Sequence, residues 1–139
     1  MKRLFTISLV VFSLIIASTV QAGGLGQKLY FVGLWEGIDE SDGSEAQRSI
    51  TLNSNGTFKI IGQESKIDGC PGRGMLTGTG VLEDGSIIVD DFSIFCDGQS
   101  VPLVEEVEAT YKPNKRNGIL IEVFPGPYPP MILHKISKR

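Results

Sequence analysis

From Tyr30 onward the chain alternates apolar and polar residues in short runs separated by turn residues. Ile50 and Leu52 share one face of such a run, with Ser49, Thr51 and Asn53 on the other. Phe58 and Ile60 oppose Thr57 and Lys59, and Val107, Ala109 and Tyr111 oppose Glu106, Glu108 and Thr110. A period of two with a single apolar face is the signature of a half-buried strand. The runs predict eight strands, at 30–38, 47–53, 57–62, 73–82, 86–96, 103–112, 118–124 and 131–136. Ser54-Asn55-Gly56 and Glu83-Asp84-Gly85 supply the positive φ that tight hairpins need, and Asn117-Gly118 closes a longer turn. Pro125-Gly126-Pro127-Tyr128-Pro129-Pro130 reads as a loop, because proline has no N–H to give to a ladder. No stretch has the apolar spacing of a long amphipathic helix. Strands joined in succession by short turns predict an all-β fold, an antiparallel up-and-down eight-stranded barrel, with a β-sandwich as the alternative closure.

The N-terminus follows a different pattern. Met1-Lys2-Arg3 precedes an apolar run from Leu4 to Ala17, and Val20-Gln21-Ala22 places small residues at the last and third-last positions before a cleavage point. That is the layout of a secretory signal peptide. The run is shorter than the roughly 20 apolar residues of a spanning helix. The expected organisation is a signal peptide at 1–22 and a single barrel domain at 23–139, with 23–29 as a flexible arm. The expected location is the periplasm or the exterior. Of 13 basic and 16 acidic residues, Lys2 and Arg3 leave with the leader, so 11 face 16 and the mature net charge is −5. Nucleic-acid binding needs an excess of positive charge, so that class of partner is excluded. With no second hydrophobic span, stable membrane insertion is not expected either, and the protein reads as a monomer. In an oxidising compartment Cys70 and Cys96, the only cysteines, read as a disulfide.

Gly33-Leu34-Trp35 opens the first strand, and Ser49-Ile50-Thr51-Leu52-Asn53-Ser54-Asn55-Gly56-Thr57-Phe58 follows as strand, tight turn and strand. Together these resemble the Gly-x-Trp signature and the next hairpin of the lipocalin and avidin-like barrels. The resemblance implies a lipocalin-like fold in which Trp35 sits at the closed end and packs under a later strand. The biotin-contacting set of the avidins has no residue-by-residue counterpart here.

Candidate chemistry is sparse. Asp39, Asp42 and Glu45 surround Gly43 without the spacing of a calcium loop, so no metal site is assigned. Adjacent carboxylates such as Asp90-Asp91 point to opposite faces of a strand and do not pair for acid–base work. His134, the one histidine, lies between Ile132 and Ile136 and reads as a packed or surface residue rather than a catalytic base. The chain is therefore read as no enzyme and as needing no cofactor. Trp35, Phe58, Asp90, Phe92 and Tyr111 are the candidate ligand-binding residues. Asp90 is either a polar contact inside a cavity or the mark of a bulge, and Trp35 either plugs the barrel or lines its cavity. The function expected is an exported, non-catalytic, lipocalin-like protein holding a small apolar molecule in the barrel, its mouth ringed by loops 39–46, 97–102 and 125–130. The alternative is a protein-interaction or protease-inhibitor barrel that meets another exported protein through its loops or its N-terminal arm.

Overall fold

A computed structural model describes residues 22–136; the expected signal peptide lies, apart from Ala22, outside the described residues. The described residues open with one helix, α1 (Ala22–Phe31), and continue through β1 (Gly33–Ile38), β2 (Glu45–Leu52), β3 (Phe58–Glu64), β4 (Gly74–Glu83), β5 (Ser86–Cys96), β6 (Val104–Asn114), β7 (Ile119–Val123) and β8 (Met131–Lys135). Every strand pairs antiparallel with the next, and β8 returns to pair with β1, so the sheet closes as a barrel. This is the up-and-down architecture expected from the alternation, and the sandwich is set aside.

The turn residues act as their chemistry dictates. Asp84 and Gly85 both take positive φ, 47° and 80°, between the paired residues Glu83 and Ser86. That is a two-residue hairpin whose twist matches the strands it joins. Buried residues recur at every second position, as in β2, where Ala46, Arg48 and Ile50 face inward, and β3, where Phe58, Ile60 and Gly62 do. The core they build is a single cluster that includes Phe31, Trp35, Phe58, Phe92, Tyr111 and Leu133.

Two regions differ from the sequence expectation. The stretch 23–29 is helical rather than a flexible arm, and the first strand begins at Gly33 rather than Tyr30. Gly24 and Gly26 are poor helix formers, so intrinsic propensity argues against a helix here. Tertiary docking supplies what propensity lacks. Phe31 is fully buried against Phe58, with ring centroids 5.8 Å apart. Lys28 Nζ donates to Gly56 O at 3.1 Å, Tyr30 OH to Ile119 O at 2.8 Å, and Trp35 Nε1 to Phe31 O at 2.8 Å, where the helix ends. The helix thus covers the end of the barrel that carries the β2–β3 and β6–β7 turns. This is the closed end, and Trp35 lies beneath the helix.

The second difference is at Asp90. The β5–β6 register shifts between Val89 and Phe92, and again between Phe92 and Ile94. Asp90 and Asp91 are both exposed on this bulged stretch. Asp90 therefore stands on the outer wall, and of the two readings offered for it the bulge is the one realised. Asp91 Oδ1 accepts from Thr79 N at 2.8 Å, satisfying a donor that the interrupted β4–β5 ladder leaves free. On the inner side Gly78 makes room for an aromatic ring: a methyl there would come within 2.8 Å of Phe92 Cδ1.

Closure between β1 and β8 rests on three register pairs, Trp35–Lys135, Glu36–His134 and Gly37–Leu133. A Cβ on Gly37 would lie 2.4 Å from the backbone oxygen of Ile132, a contact that only a strand shift relieves. Gly37→Ala is expected to destabilise the protein by about 3 kcal/mol in urea denaturation; a change within experimental error would show that this seam is slack.

Candidate functional site

Of the five residues expected to bind ligand, four meet inside the barrel. Trp35, Phe58, Phe92 and Tyr111 each have 0% relative exposure. They are packed rather than spaced around a void. Phe92 meets Tyr111 edge-on at 6.3 Å and Phe124 at 6.5 Å, and Tyr30 tilts against Trp35 at 5.8 Å. Asp90, the fifth, lies outside, beside Glu108 and Thr110.

The interior also holds charged residues that sequence reasoning did not single out. Arg48 is fully buried at the middle of β2. Its Nε donates to Glu122 Oε2 at 2.6 Å and its Nη2 to Glu122 Oε1 at 2.7 Å, a two-pronged contact across the barrel. Nη2 also reaches Glu64 Oε1, and Nη1 donates to Gln47 O at 3.0 Å. A planar guanidinium suits this geometry because its N–H fork matches two carboxylate oxygens at once. Burial works against the guanidinium charge, but Glu122 and Glu64 outweigh it and hold Arg48 protonated well above the usual arginine value. Tyr111, whose hydroxyl has no hydrogen-bond partner among the described residues, is pushed far up by burial and by the nearby Glu122 charge. Glu64 accepts from Arg48, yet its burial outweighs that attraction and its pKa rises. The signal for Arg48 and Glu122 was the same alternation that found the strands: Arg48 shares parity with Ile50, and Glu122 with Leu120.

The far end of the barrel carries no helix among the described residues and is termed the open end. Alternate connections of an up-and-down barrel lie at one end, and here these are 39–44, 65–73, 97–103 and 124–130. The three loops expected at the mouth are therefore neighbours. The fourth, 65–73, is tied to β5 by the disulfide Cys70–Cys96, with Cα atoms 5.3 Å apart. Asp97 N donates to Arg73 O at 2.9 Å and Leu103 N to Ile94 O at 2.7 Å, so loops 65–73 and 97–103 form one lobe. Exposed apolar side chains stand at this end, Val101 at 74% with Leu103, Val104 and Tyr128, and at the other on α1, Leu25 and Leu29.

Shallow grooves mark the outer wall. One, of about 520 Å³, crosses β1, β2 and β3 near the open end and includes Glu36, Gln47, Gln63 and His134. Gln47 Nε2 donates to Glu36 Oε1 at 2.7 Å within it. His134 lines this groove and Asp90 a separate one, so these two residues do not share a site. No known protein family, curated protein or solved structure matches the chain.

Two stability predictions follow from the interior cluster. Arg48→Met leaves the buried Glu122 and the partly buried Glu64 without their cation and is expected to lower unfolding free energy at neutral pH by about 3–5 kcal/mol in urea denaturation. Glu64→Gln tests the raised pKa. A carboxylate whose folded pKa lies above its unfolded value, near 4.5, stabilises the fold fully below that value and loses the contribution as pH rises through the folded pKa. Relative to Glu64→Gln, the native protein should therefore lose stability as pH rises from about 4.5. A gap that widens in the native protein's favour over that interval, followed by thermal melting, would show that the pair with Arg48 dominates instead.

Proposed function

We propose that this protein is an exported, non-catalytic binding protein that meets its partner at the open end of the barrel, the interior serving stability. The observation that carries the reading is the contrast between the two places a ligand could go. Trp35, Phe58, Phe92 and Tyr111 are wholly buried within the core, whereas Val101, Leu103, Val104 and Tyr128 expose apolar surface around the open end. Eight strands enclose a space that side chains alone can fill. Interior storage of a small apolar molecule is thus the less supported of the two readings, and an exported protein is the favoured partner. Within the protein-interaction reading the loops carry the contact, because the segment considered as an inhibitory arm is docked as α1 on the closed end. Export is supported by the leader sequence and by the Cys70–Cys96 bond, which suits an oxidising compartment.

Titration with cis-parinaric acid tests the choice. Trp35 is the only tryptophan and lies in the core, so a fatty-acid probe entering the barrel would take up its emission by energy transfer. We expect no saturable uptake and no loss of Trp35 emission. Saturable, stoichiometric uptake displaced by an unlabelled fatty acid would overturn the open-end reading and restore the interior carrier.

A further inference from the structure

The two ends of the barrel carry opposite charge. Around the closed end stand Lys28, Lys115, Arg116 and Lys135 against Glu83 and Asp84. Lys115 lies over the Tyr30 ring at 5.8 Å and Lys135 over Trp35 at 5.1 Å, which keeps both cations at that end. The open end reverses the balance. The lobe formed by 65–73 and 97–103, with the start of β6, bears Asp68, Asp97, Glu105 and Glu106 against Lys66 and Arg73. The neighbouring β1–β2 connection adds Asp39, Glu40 and Asp42 and no base.

From this arrangement we propose that the open end docks a cationic protein, the exposed Val101–Val104 segment making the apolar contact and the carboxylates around it the complementary rim. The inference rests on the open-end reading and names the partner's chemistry. Apolar residues at the centre of a contact with charges at its edge is the usual anatomy of a protein interface. The edge charges select the partner: an acidic protein or an anionic membrane surface is repelled, and a cationic face is steered in. A bare metal ion is not the occupant these carboxylates serve, since among the described residues no three acidic, histidine or cysteine side chains converge to hold one. The lobe is also ready for contact before the partner arrives. The disulfide holds loop 65–73 against β5, and Leu103 lies over Gly69, where an added Cβ would be 3.1 Å from Leu103 Cδ2. A surface fixed in advance loses less conformational entropy on binding.

The test uses the mature protein with its disulfide intact and p-benzoylphenylalanine in place of Val101, or of Leu25 on the opposite end, which is likewise exposed. Each form is irradiated with the exported proteins of the host, separated by isoelectric point into a basic and an acidic pool. The expected result is an adduct at position 101 from the basic pool and none at position 25. Its yield should fall about tenfold between roughly 50 and 500 mM sodium chloride, where surface charges are screened. It should fall similarly with Asp97→Lys plus Glu105→Lys, two exposed positions whose change leaves the melting temperature in place. Adducts at position 101 that come from the acidic pool, or that ignore salt and charge reversal, would overturn the cationic partner while leaving the open-end reading intact. Adducts at position 25 alone, or at neither position, would overturn both.

Discussion

Closure of the sheet is the constraint on which the rest of this molecule depends. Once β8 pairs with β1, no strand presents an unpaired edge, and the number of strands sets the width of the interior. The seam is short, and it is possible because Gly37 lets the β8 backbone approach closer than any side chain would allow. An eight-stranded barrel leaves little more room than its own inward side chains need. With Phe31, Trp35, Phe58, Phe92 and Tyr111 all turned inward, that room is used. In the proposed reading, binding therefore falls to the ends or the outer wall, and α1 covers one of those ends.

The interior is not purely apolar, and its charged part ties distant strands together. Arg48 on β2 reaches Glu122 on β7 and Glu64 on β3, so one guanidinium links strands that are not all neighbours in the sheet. Such a pair stabilises little in comparison with an apolar replacement, but removing one partner leaves an uncompensated charge away from water. The consequence is specificity: a register slip that brought Arg48 to the outer face would also strand both carboxylates inside. The bulge on β5 serves the same packing, bringing Phe92 against Gly78 and turning Asp90 and Asp91 outward.

Much of this was legible in the chain. Strand positions, the turn at Asp84-Gly85 and the full extent of β5 follow from alternation and turn chemistry, which are local properties. Burial of Trp35, Phe58, Phe92 and Tyr111 was equally legible, since inward parity is read off the same pattern. Their role was not. Whether inward aromatics line a void or fill one depends on how eight strands converge, and no local pattern carries that distance. Arg48 and Glu122 were overlooked because a charged residue at inward parity is read as an exception to the pattern, until its partner from another strand is seen. Helix α1 escaped because its glycines argue against a helix, and the contacts that hold it come from the turn at Gly56 and the start of β7 at Ile119.

By itself the sequence determined the all-β class, the order of the strands, the cysteine pair and the acidic balance, because each is a sum or a spacing along one chain. Tertiary structure decided that the inward aromatics pack against one another, that Asp90 is outside, that 23–29 is a helix on the closed end and that opposite charges collect at opposite ends. These are properties of closure: they depend on which residues meet across the barrel or gather at one rim, and residues far apart along the chain acquire that relation only when β1 and β8 join.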